Sequence, residues 1–227
     1  MKWILLLVLT ICSSINYAAQ ALPKPLPVID GSDAPLPKRF RIMDEQGIHI
    51  IASGQFSKDQ LLQIQQKIKA PILIIDLRQE SHGFVNQWPV SLYGDKNWAN
   101  KEKSPSLILT EQRTWLESLA TQTRAEFYRI EEKSAQGSII SAAPHSLNIQ
   151  SVLSEAKLAK ELGMGYKRFY IADHTPPSIQ QVAEFNAFVK TIPKTTWIYF
   201  HCRGGGLAVP APLRRFMRYT VLPRPSH

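Results

Sequence analysis

Short apolar runs alternate along the chain with segments in which apolar residues recur every three or four positions. Residues 70–77 form an apolar run around PILIID, which is typical of a strand buried on both faces. Residues 57–60 form a capping box at the start of a helix whose apolar side continues to Ile68. The same patterns predict further strands at 49–53, 166–171 and 196–200, and further helices at 110–120, 151–162 and 178–192.

This alternation of strands and helices favours an α/β fold, with a mostly parallel sheet flanked by helices on both faces. Residues 78–100 interrupt it and are predicted to form a long loop, which inside a compact domain is usually functional. Residues 127–149 are predicted to form an inserted β excursion that turns at Gly137. The core is expected to begin near Phe40, because residues 22–39 are rich in proline and suggest an extended arm.

Length and composition limit the class of protein. A chain of 227 residues, 44% of them apolar and 20% charged, can bury the core of one globular domain. The formal net charge of +9 at first suggests nucleic-acid binding. However, residues 203–227 hold five arginines and no acidic residue, so more than half of the excess lies in one terminal segment. We therefore expect no nucleic-acid partner.

The first 21 residues have the three parts of a secretory signal. Lys2 is the basic start, residues 3–11 are the apolar centre, and the small-residue cleavage site is AQA at 19–21. The apolar centre is too short to span a bilayer comfortably. We expect export to the periplasm or the medium, cleavage after residue 21 and no membrane attachment afterwards. Mass spectrometry of the mature N-terminus tests this expectation.

A nucleophilic cysteine is predicted at position 202. Since Cys12 lies inside the expected signal, Cys202 is the remaining cysteine, and a lone exported cysteine is more naturally a reactive thiol than a structural one. A predicted strand leads into His201-Cys202-Arg203 and the glycines at 204–206, which open a phosphate-binding loop of the His-Cys-x5-Arg type. In such a loop a thiolate attacks phosphorus while backbone N–H groups hold the phosphate oxygens. We expect His201 and those N–H groups to lower the pKa of the thiol.

A general acid is predicted about thirty residues upstream of the cysteine. Asp173-His174, followed by Thr-Pro-Pro, comes directly after the predicted strand at 166–171. Cleavage of a phosphomonoester requires a proton donor for the leaving oxygen, on a loop that can close over the substrate. Asp173 is a suitable donor and the prolines stiffen its loop. Asp173 and Cys202 are therefore the candidate catalytic pair.

Longer motifs around these residues resemble the bacterial protein-tyrosine-phosphatase-like inositol polyphosphatases, also called cysteine phytases. The motifs are SGQFS at 53–57, DLRQESHGFVN at 76–86, VSLYGDKNWAN at 90–100, LGMGYKRF at 162–169, ADHTPP at 172–177 and HCRGG at 201–205. The resemblance covers roughly residues 40–206. It implies a tyrosine-phosphatase-type α/β fold with a small partial β-barrel, and stepwise removal of phosphates from inositol hexakisphosphate.

The resemblance also assigns roles to individual residues. It makes Cys202 the nucleophile, which forms a phosphocysteine intermediate, and Asp173 the general acid. The residues expected to bind substrate or phosphate are His201, Arg203, Gly204, Gly205, Gly206, His174, Arg41, Arg78, His82 and Lys96. Arg41, Arg78, His82 and Lys96 are expected to contact the other phosphates of the substrate, although each could instead form an ordinary structural ion pair. No metal and no cofactor are expected.

The resemblance fails in the second half of the loop. An arginine is due at position 208 and a threonine at 209, but the sequence has Ala208 and Val209. One consistent choice of codons turns LAVPAPLRRFMRY at 207–219 into GRTSTVAALYAV in the neighbouring frame, which restores both residues. We therefore expect an incomplete phosphatase domain at 40–206, an out-of-frame tail at 207–227, loss of the family's C-terminal helices, and an inactive chain. A natural variant C-terminus is the alternative.

Three functions stay open from the sequence. The leading hypothesis is an exported phosphatase of inositol phosphates, inactive as written. The same loop also serves protein-tyrosine or dual-specificity phosphatases and effectors, and a deep apolar slot would favour phosphotyrosine. A catalytically dead module that binds phosphate is the third hypothesis. The order of phosphate removal and the oligomeric state are left open.

Overall fold

The structure, a computed structural model, describes residues 25–45 and 48–205. The expected signal at 1–21, Gly206 and the expected tail at 207–227 lie outside the described residues. The strands are β1 (Leu26–Ile29), β2 (Arg41–Glu45), β3 (Ile48–Ser53), β4 (Ile72–Arg78), β5 (His82–Val85), β6 (Trp88–Tyr93), β7 (Arg124–Lys133), β8 (Ile139–Asn148), β9 (Val152–Leu153), β10 (Gly165–Ile171) and β11 (Trp197–His201). The helices are α1 (Lys58–Ile68), α2 (Pro105–Ala120), α3 (Glu155–Glu161) and α4 (Ile179–Val189).

A five-stranded central sheet has the strand order β10-β4-β11-β3-β2. The first four strands are parallel, and β2 is antiparallel at the edge. His201, the last residue of β11, pairs with Ser53 of β3 on one side and with Asp76 of β4 on the other. The predicted α/β fold with a mostly parallel sheet is confirmed, and the candidate nucleophile follows the carboxyl end of its middle strand.

Helices cover the central sheet on both faces. On one face α1 and α3 bury Leu61 and Leu158 in a core with the strand residues Ile51 and Ile74. On the other face α4 contributes Phe185 to a second core. The capping box predicted at the start of α1 is present, with Ser57 as N-cap.

A second sheet of six strands packs on α2 through a core that includes Leu116 and Phe127. Its strand order is β8-β7-β1-β6-β5-β9, and its pairs are antiparallel except for β1 with β7. In the described residues β8 and β9 are separate edges, so this sheet is open and corresponds to the partial barrel that the resemblance implies. β7 and β8 form the predicted excursion around Gly137.

Two expectations about the organisation of the chain are wrong. Residues 78–100 are not one loop, because the strands β5 and β6 lie within them. Polar residues such as His82 and Ser91 are buried in these strands. The strands therefore lack the apolar run or the apolar–polar alternation by which a strand is recognised in a sequence. The core does not begin at Phe40 either. β1 lies inside the proposed arm, and Val28 is fully buried between β6 and β7.

Smaller differences concern the helices. The helix predicted at 151–162 begins only at Glu155, after the short strand β9. Ile179, assigned to the apolar side of α4, is 92% exposed because it occupies the first turn next to the N-cap Ser178. Among the described residues no helix has the length and hydropathy needed to cross a bilayer.

Candidate active site

The start of the phosphate loop follows β11 and packs closely against the segment after β3. The N–H of Gln55 donates a hydrogen bond to the carbonyl oxygen of Arg203 over 3.2 Å. Gly205 has φ +62°, and a Cβ at this position would lie 2.3 Å from the backbone nitrogen of Gly54. Both the backbone conformation and the close approach therefore require glycine at 205. The motif SGQFS at 53–57 thus forms the wall behind the loop, while Gly204 is exposed.

A cleft beside this loop brings the candidate catalytic pair together. Cys202 and Asp173 both line it, with Arg203, Glu80 and Asn97 on the adjoining walls. Cys202 is partly buried. The two residues follow the ends of β11 and β10, and the structure brings this candidate pair together in one cleft.

The pKa of the Cys202 thiol is raised, whereas from the sequence it was expected to be lowered. Burial raises the pKa of Cys202 above its usual range, and hydrogen bonds from the backbone of Gly205 and Gly204 offset this only in part. The negative charge of Asp173 also raises it. His201 does not supply the expected lowering, because its imidazole Nε2 lies 2.6 Å from Glu155. Activation of the thiol therefore requires further positive charge at the loop.

Asp173 is held by the motif NWAN at 97–100. The indole Nε1 of Trp98 donates to the carbonyl oxygen of Asp173 over 2.7 Å, and Nδ2 of Asn97 donates to its carboxylate over 3.4 Å. The Asp173 side chain keeps 37% of its surface exposed, so a leaving oxygen in the cleft can reach it. The neighbouring His174 is 66% exposed, with Nε2 3.9 Å from the same carboxylate. From the sequence, no role was assigned to Trp98 or Asn97. The only signal for them was that they belong to the motif VSLYGDKNWAN, which carries the family resemblance.

Arg203 is anchored by a buried acid that the sequence did not single out. Its Nε lies 2.7 Å from Oδ1 of Asp30, which follows β1. Burial would raise the pKa of Asp30, but the charges of Arg203 and Arg78 outweigh it and lower that pKa. Asp30 lies within the supposed proline-rich arm, where nothing in the hydropathy pattern indicated a buried carboxylate.

Arg78 was expected to contact substrate phosphates, but protein groups occupy its guanidinium. Each of its three guanidinium nitrogens contacts a protein group: Nη2 the carboxylate of Asp30, Nε that of Glu80, and Nη1 the amide oxygen of Gln55. Its side chain is 1% exposed. The structural ion pair, which the sequence left open as the alternative, is the correct interpretation, and it fixes the wall of the cleft.

His82 and His201 also lie in the interior and not on the substrate side. His82 donates from Nδ1 to the carbonyl oxygen of Glu80 over 2.8 Å, and its Nε2 lies 3.1 Å from Asp76. His201 faces Glu155. Both histidines are 1% exposed, so the expectation that they contact phosphate is corrected. They instead hold the base of the loop through buried carboxylates.

Ligand-type atoms of Asp76, Glu155 and His201 lie within 4.8 Å of one another, a grouping that can resemble a metal site. However, Asp76 Oδ2 already accepts a hydrogen bond of 2.7 Å from the Tyr166 hydroxyl and lies 3.3 Å from Arg168 Nε. The 2.6 Å contact between His201 and Glu155 leaves no space for a cation between them. We interpret the cluster as an ion-pair network, and the absence of a metal requirement stays a prediction.

The remaining two candidates lie at the margins. Lys96 has a left-handed backbone (φ 56°), and its Nζ lies 4.8 Å from the Trp98 ring, beside the segment that holds Asp173. Arg41 is on the edge strand β2, where its Nη1 donates to the carbonyl oxygen of Arg39. The structure therefore brings Lys96 near the cleft, but it does not place Arg41 among the residues that line it.

Replacing Glu155 by glutamine should lower the free energy of unfolding by about 3 kcal/mol, because the change leaves the buried His201 without its charged partner. Chemical denaturation followed by circular dichroism measures this. Glu111→Gln is the matched control, because the Lys103–Glu111 pair also has a 2.6 Å contact but is only partly buried. It should cost less than about 1 kcal/mol. Equal small losses in both variants would contradict a stabilising role for Glu155.

The same ion pair predicts a pH dependence. Burial would lower the pKa of His201, but Glu155 overcomes this and raises it. The contribution of the pair to stability is therefore complete below the ordinary histidine pKa of about 6.5, and it is lost as the pH rises through the raised pKa of the folded state. The unfolding free energy of the unchanged protein should decline across that window, and that of Glu155→Gln should decline less, because only Asp76 then raises the pKa of His201.

Comparisons with known proteins agree with this geometry. The sequence model of the PTP-like phytase family matches residues 75–207. The description of that family reads "inositol hexakisphosphate". The structure of the tandemly repeated PTP-like phytase of Mitsuokella multacida superposes with a TM-score of 0.72 at 28% identity, over 82% of this chain and 34% of that one. The same values hold for the PTP-like myo-inositol phosphatase of that organism in complex with myo-inositol-(1,3,4,5)-tetrakisphosphate.

Two further relatives extend the comparison. A PTP-like phytase from Bdellovibrio bacteriovorus superposes with a TM-score of 0.61 at 28% identity, over 82% of this chain and 66% of that one. The effector protein hopD2 of Pseudomonas syringae pv. tomato is 31% identical over 144 residues, which are 60% of this chain and 29% of the effector. This chain thus spans about a third of the Mitsuokella proteins and less of hopD2. Since the family match covers more than half of the chain and includes both Asp173 and Cys202, the chain belongs to the PTP-like phytase family.

Proposed function

We propose that this protein is built as a phosphoric monoester hydrolase that removes phosphates from inositol hexakisphosphate by cysteine-based catalysis. The observation that carries the proposal is the cleft that Cys202 and Asp173 share beside a glycine loop. The walls of this cleft include the charged residues Arg78, Glu80 and Arg203. Arg203 is partly exposed there and can meet an anionic ligand. The apolar residues Leu77, Ile171 and Ala172 also line the cleft, so a phosphotyrosine ring stays a candidate.

In the proposed reaction the Cys202 thiolate attacks phosphorus. A sulfur–phosphorus bond forms while the bond from phosphorus to the inositol oxygen breaks, and Asp173 donates its proton to that leaving oxygen. Water then attacks the phosphocysteine. The Asp173 carboxylate takes a proton from this water, and the sulfur leaves as thiolate, so the enzyme returns to its starting state. No cofactor takes part in these steps.

Two observations on relatives support the substrate class. The family description names inositol hexakisphosphate, and the Mitsuokella phosphatase was solved with an inositol tetrakisphosphate. The likeness to hopD2 supports an effector phosphatase as the second candidate. We also propose export, on the pattern of residues 1–21 alone.

Competing substrates separate these candidates. In the protein read in the shifted frame from residue 207, kcat/KM for inositol hexakisphosphate should exceed that for a phosphotyrosine peptide by about 10-fold, because several phosphates meet basic groups around the cleft. Phosphate release measures both. A preference for the peptide would favour the effector reading. Tight binding of inositol hexakisphosphate without turnover would favour the phosphate-binding module.

A further inference from the structure

We propose that Trp98 is a positioning residue for proton transfer in the cleft. Its indole N–H holds the main chain of Asp173, so that the carboxyl group of this acid stays within reach of the leaving oxygen. The inference rests on the proposed function and adds to it a residue that acts through Asp173. Trp98 directly follows the short 3-10 turn Asp95–Asn97, which lies between β6 and α2.

Trp98 contacts the backbone of the acid, whereas other groups contact its carboxylate. Nε1 of Trp98 donates to the carbonyl oxygen of Asp173 over 2.7 Å. The carboxylate itself accepts from Nδ2 of Asn97 over 3.4 Å and from the N–H of His174 over 3.1 Å. A bond to the main chain can fix the position of the acid without competing for its proton. The position of Asp173 and the stabilisation of its charge therefore depend on different partners.

The loop that carries the acid benefits from a hold on its main chain. It spans residues 172–178 between β10 and α4. His174 has φ 59°, a left-handed conformation that costs free energy in a residue with a Cβ atom. Thr175 closes the turn from within, because its N–H and its hydroxyl donate to the carbonyl oxygen of Ala172 over 3.2 and 2.7 Å. The bond from Trp98 to Asp173 supports the same turn from outside the loop.

The indole is itself held in place by its surroundings. Nζ of Lys101 lies 3.8 Å from the centroid of its ring, and Nζ of Lys96 lies 4.8 Å from it. The backbone N–H of Trp98 donates to the carbonyl oxygen of Asp95 over 3.0 Å. The N–H of Lys96 joins this turn to the β7–β8 hairpin, where it donates to the carbonyl oxygen of Gly137 over 3.3 Å. The donor that holds Asp173 therefore sits on a fixed support.

This placement predicts a loss of activity that depends on the leaving group. Cys202 follows β11, on a different loop from Asp173, so removal of the indole N–H should spare the attack by sulfur. An inositol oxygen needs a proton as it leaves, whereas nitrophenolate does not. A positioning role thus affects turnover of inositol hexakisphosphate far more than that of p-nitrophenyl phosphate. A merely structural role would affect both equally.

Hydrogen exchange tests the hold on the loop without turnover. In the 227-residue chain, Trp98→Phe keeps an aromatic ring and removes the N–H. Mass spectrometry should show about 5-fold faster exchange at the amides of His174 and Thr175, because one hydrogen bond of the loop is lost. The matched control is Trp88→Phe. Trp88 is also half-buried, has Cζ of Arg129 5.2 Å from its ring centroid, and packs on the core under α2. Equal exchange in all three proteins would overturn the inference.

Steady-state phosphate release tests the role in proton transfer. In the protein read in the shifted frame, Trp98→Phe should lower kcat for inositol hexakisphosphate by about 10-fold and leave KM within about twofold. Its rate on p-nitrophenyl phosphate should stay within about twofold, and Trp88→Phe should change neither substrate by more than that. An unchanged kcat for inositol hexakisphosphate, or an equal loss on both substrates, would overturn the positioning role.

The outcomes separate this inference from the proposed function. Hydrolysis of inositol hexakisphosphate with no dependence on Trp98 would keep the proposed function and overturn only the role of Trp98. If the unchanged shifted-frame protein hydrolyses neither substrate, the proposed function is refuted, and the role of Trp98 in proton transfer is refuted with it. Faster exchange of the loop together with a loss confined to inositol hexakisphosphate is the result that supports both.

Discussion

The 227-residue chain should release phosphate from inositol hexakisphosphate at least about 100-fold more slowly than the protein read in the shifted frame from residue 207. Ala208 stands where a guanidinium would clamp two phosphate oxygens in the transition state. Two lost charge-assisted hydrogen bonds of roughly 1.5–3 kcal/mol each correspond to about 10²–10⁴ in rate. The raised pKa of Cys202 acts in the same direction, because the thiolate is the nucleophile. Comparing kcat/KM of the two proteins measures the difference.

Ala208→Arg in the unshifted chain separates the missing charge from the rest of the altered segment. It should recover part of the rate, because Pro210 and Pro212 still oppose a helix after the loop. Sequencing the gene across codons 205–210 provides the second check. A neighbouring frame that closes within a few codons, or equal rates for the two proteins, would refute the frameshift account.

In the shifted-frame protein, Cys202→Ser should lower the turnover of inositol hexakisphosphate by at least about 10³-fold while substrate binding remains, since the nucleophile is lost and the loop backbone is not. Asp173→Asn should lower it by about 10²–10⁴-fold. The effect of Asp173→Asn should be much smaller on p-nitrophenyl phosphate, because nitrophenolate leaves without protonation. Steady-state kinetics on both substrates measure this contrast.

Lys167→Met is the control for these kinetics, since Lys167 lies on β10 and does not line the cleft. Wild-type phosphate release by Cys202→Ser would rule out the covalent mechanism. An equal loss of Asp173→Asn activity on both substrates would instead give Asp173 a role in holding the loop, and another acid would have to be found.

The sequence predicted the parts of the fold in which hydropathy and burial agree. The apolar run in β4 and the capped helix α1 lie where the pattern placed them. The meeting of the two candidate catalytic residues was also predictable, because loops after parallel strands meet at one edge of a sheet. These inferences need only local sequence and a general rule of topology.

The errors have a common physical cause, which is the burial of charged groups. Arg78, His82 and His201 are basic residues of the kind that a phosphate site would also use. Each of them is instead paired in the interior with a carboxylate. Only three-dimensional contacts distinguish a buried ion pair from an exposed basic group.

The position of β1 also has a practical consequence for the design of expression fragments. β1 joins β7 to β6, so a fragment that starts at Phe40 would divide the second sheet into a two-stranded and a three-stranded piece. Both pieces would expose unpaired strand edges, which promote aggregation. The same cut would remove Asp30 and leave Arg78 and Arg203 without their shared acid. If such a fragment is insoluble, the cause would be the missing strand β1. The result would give no information on whether Cys202 and Asp173 can act in catalysis.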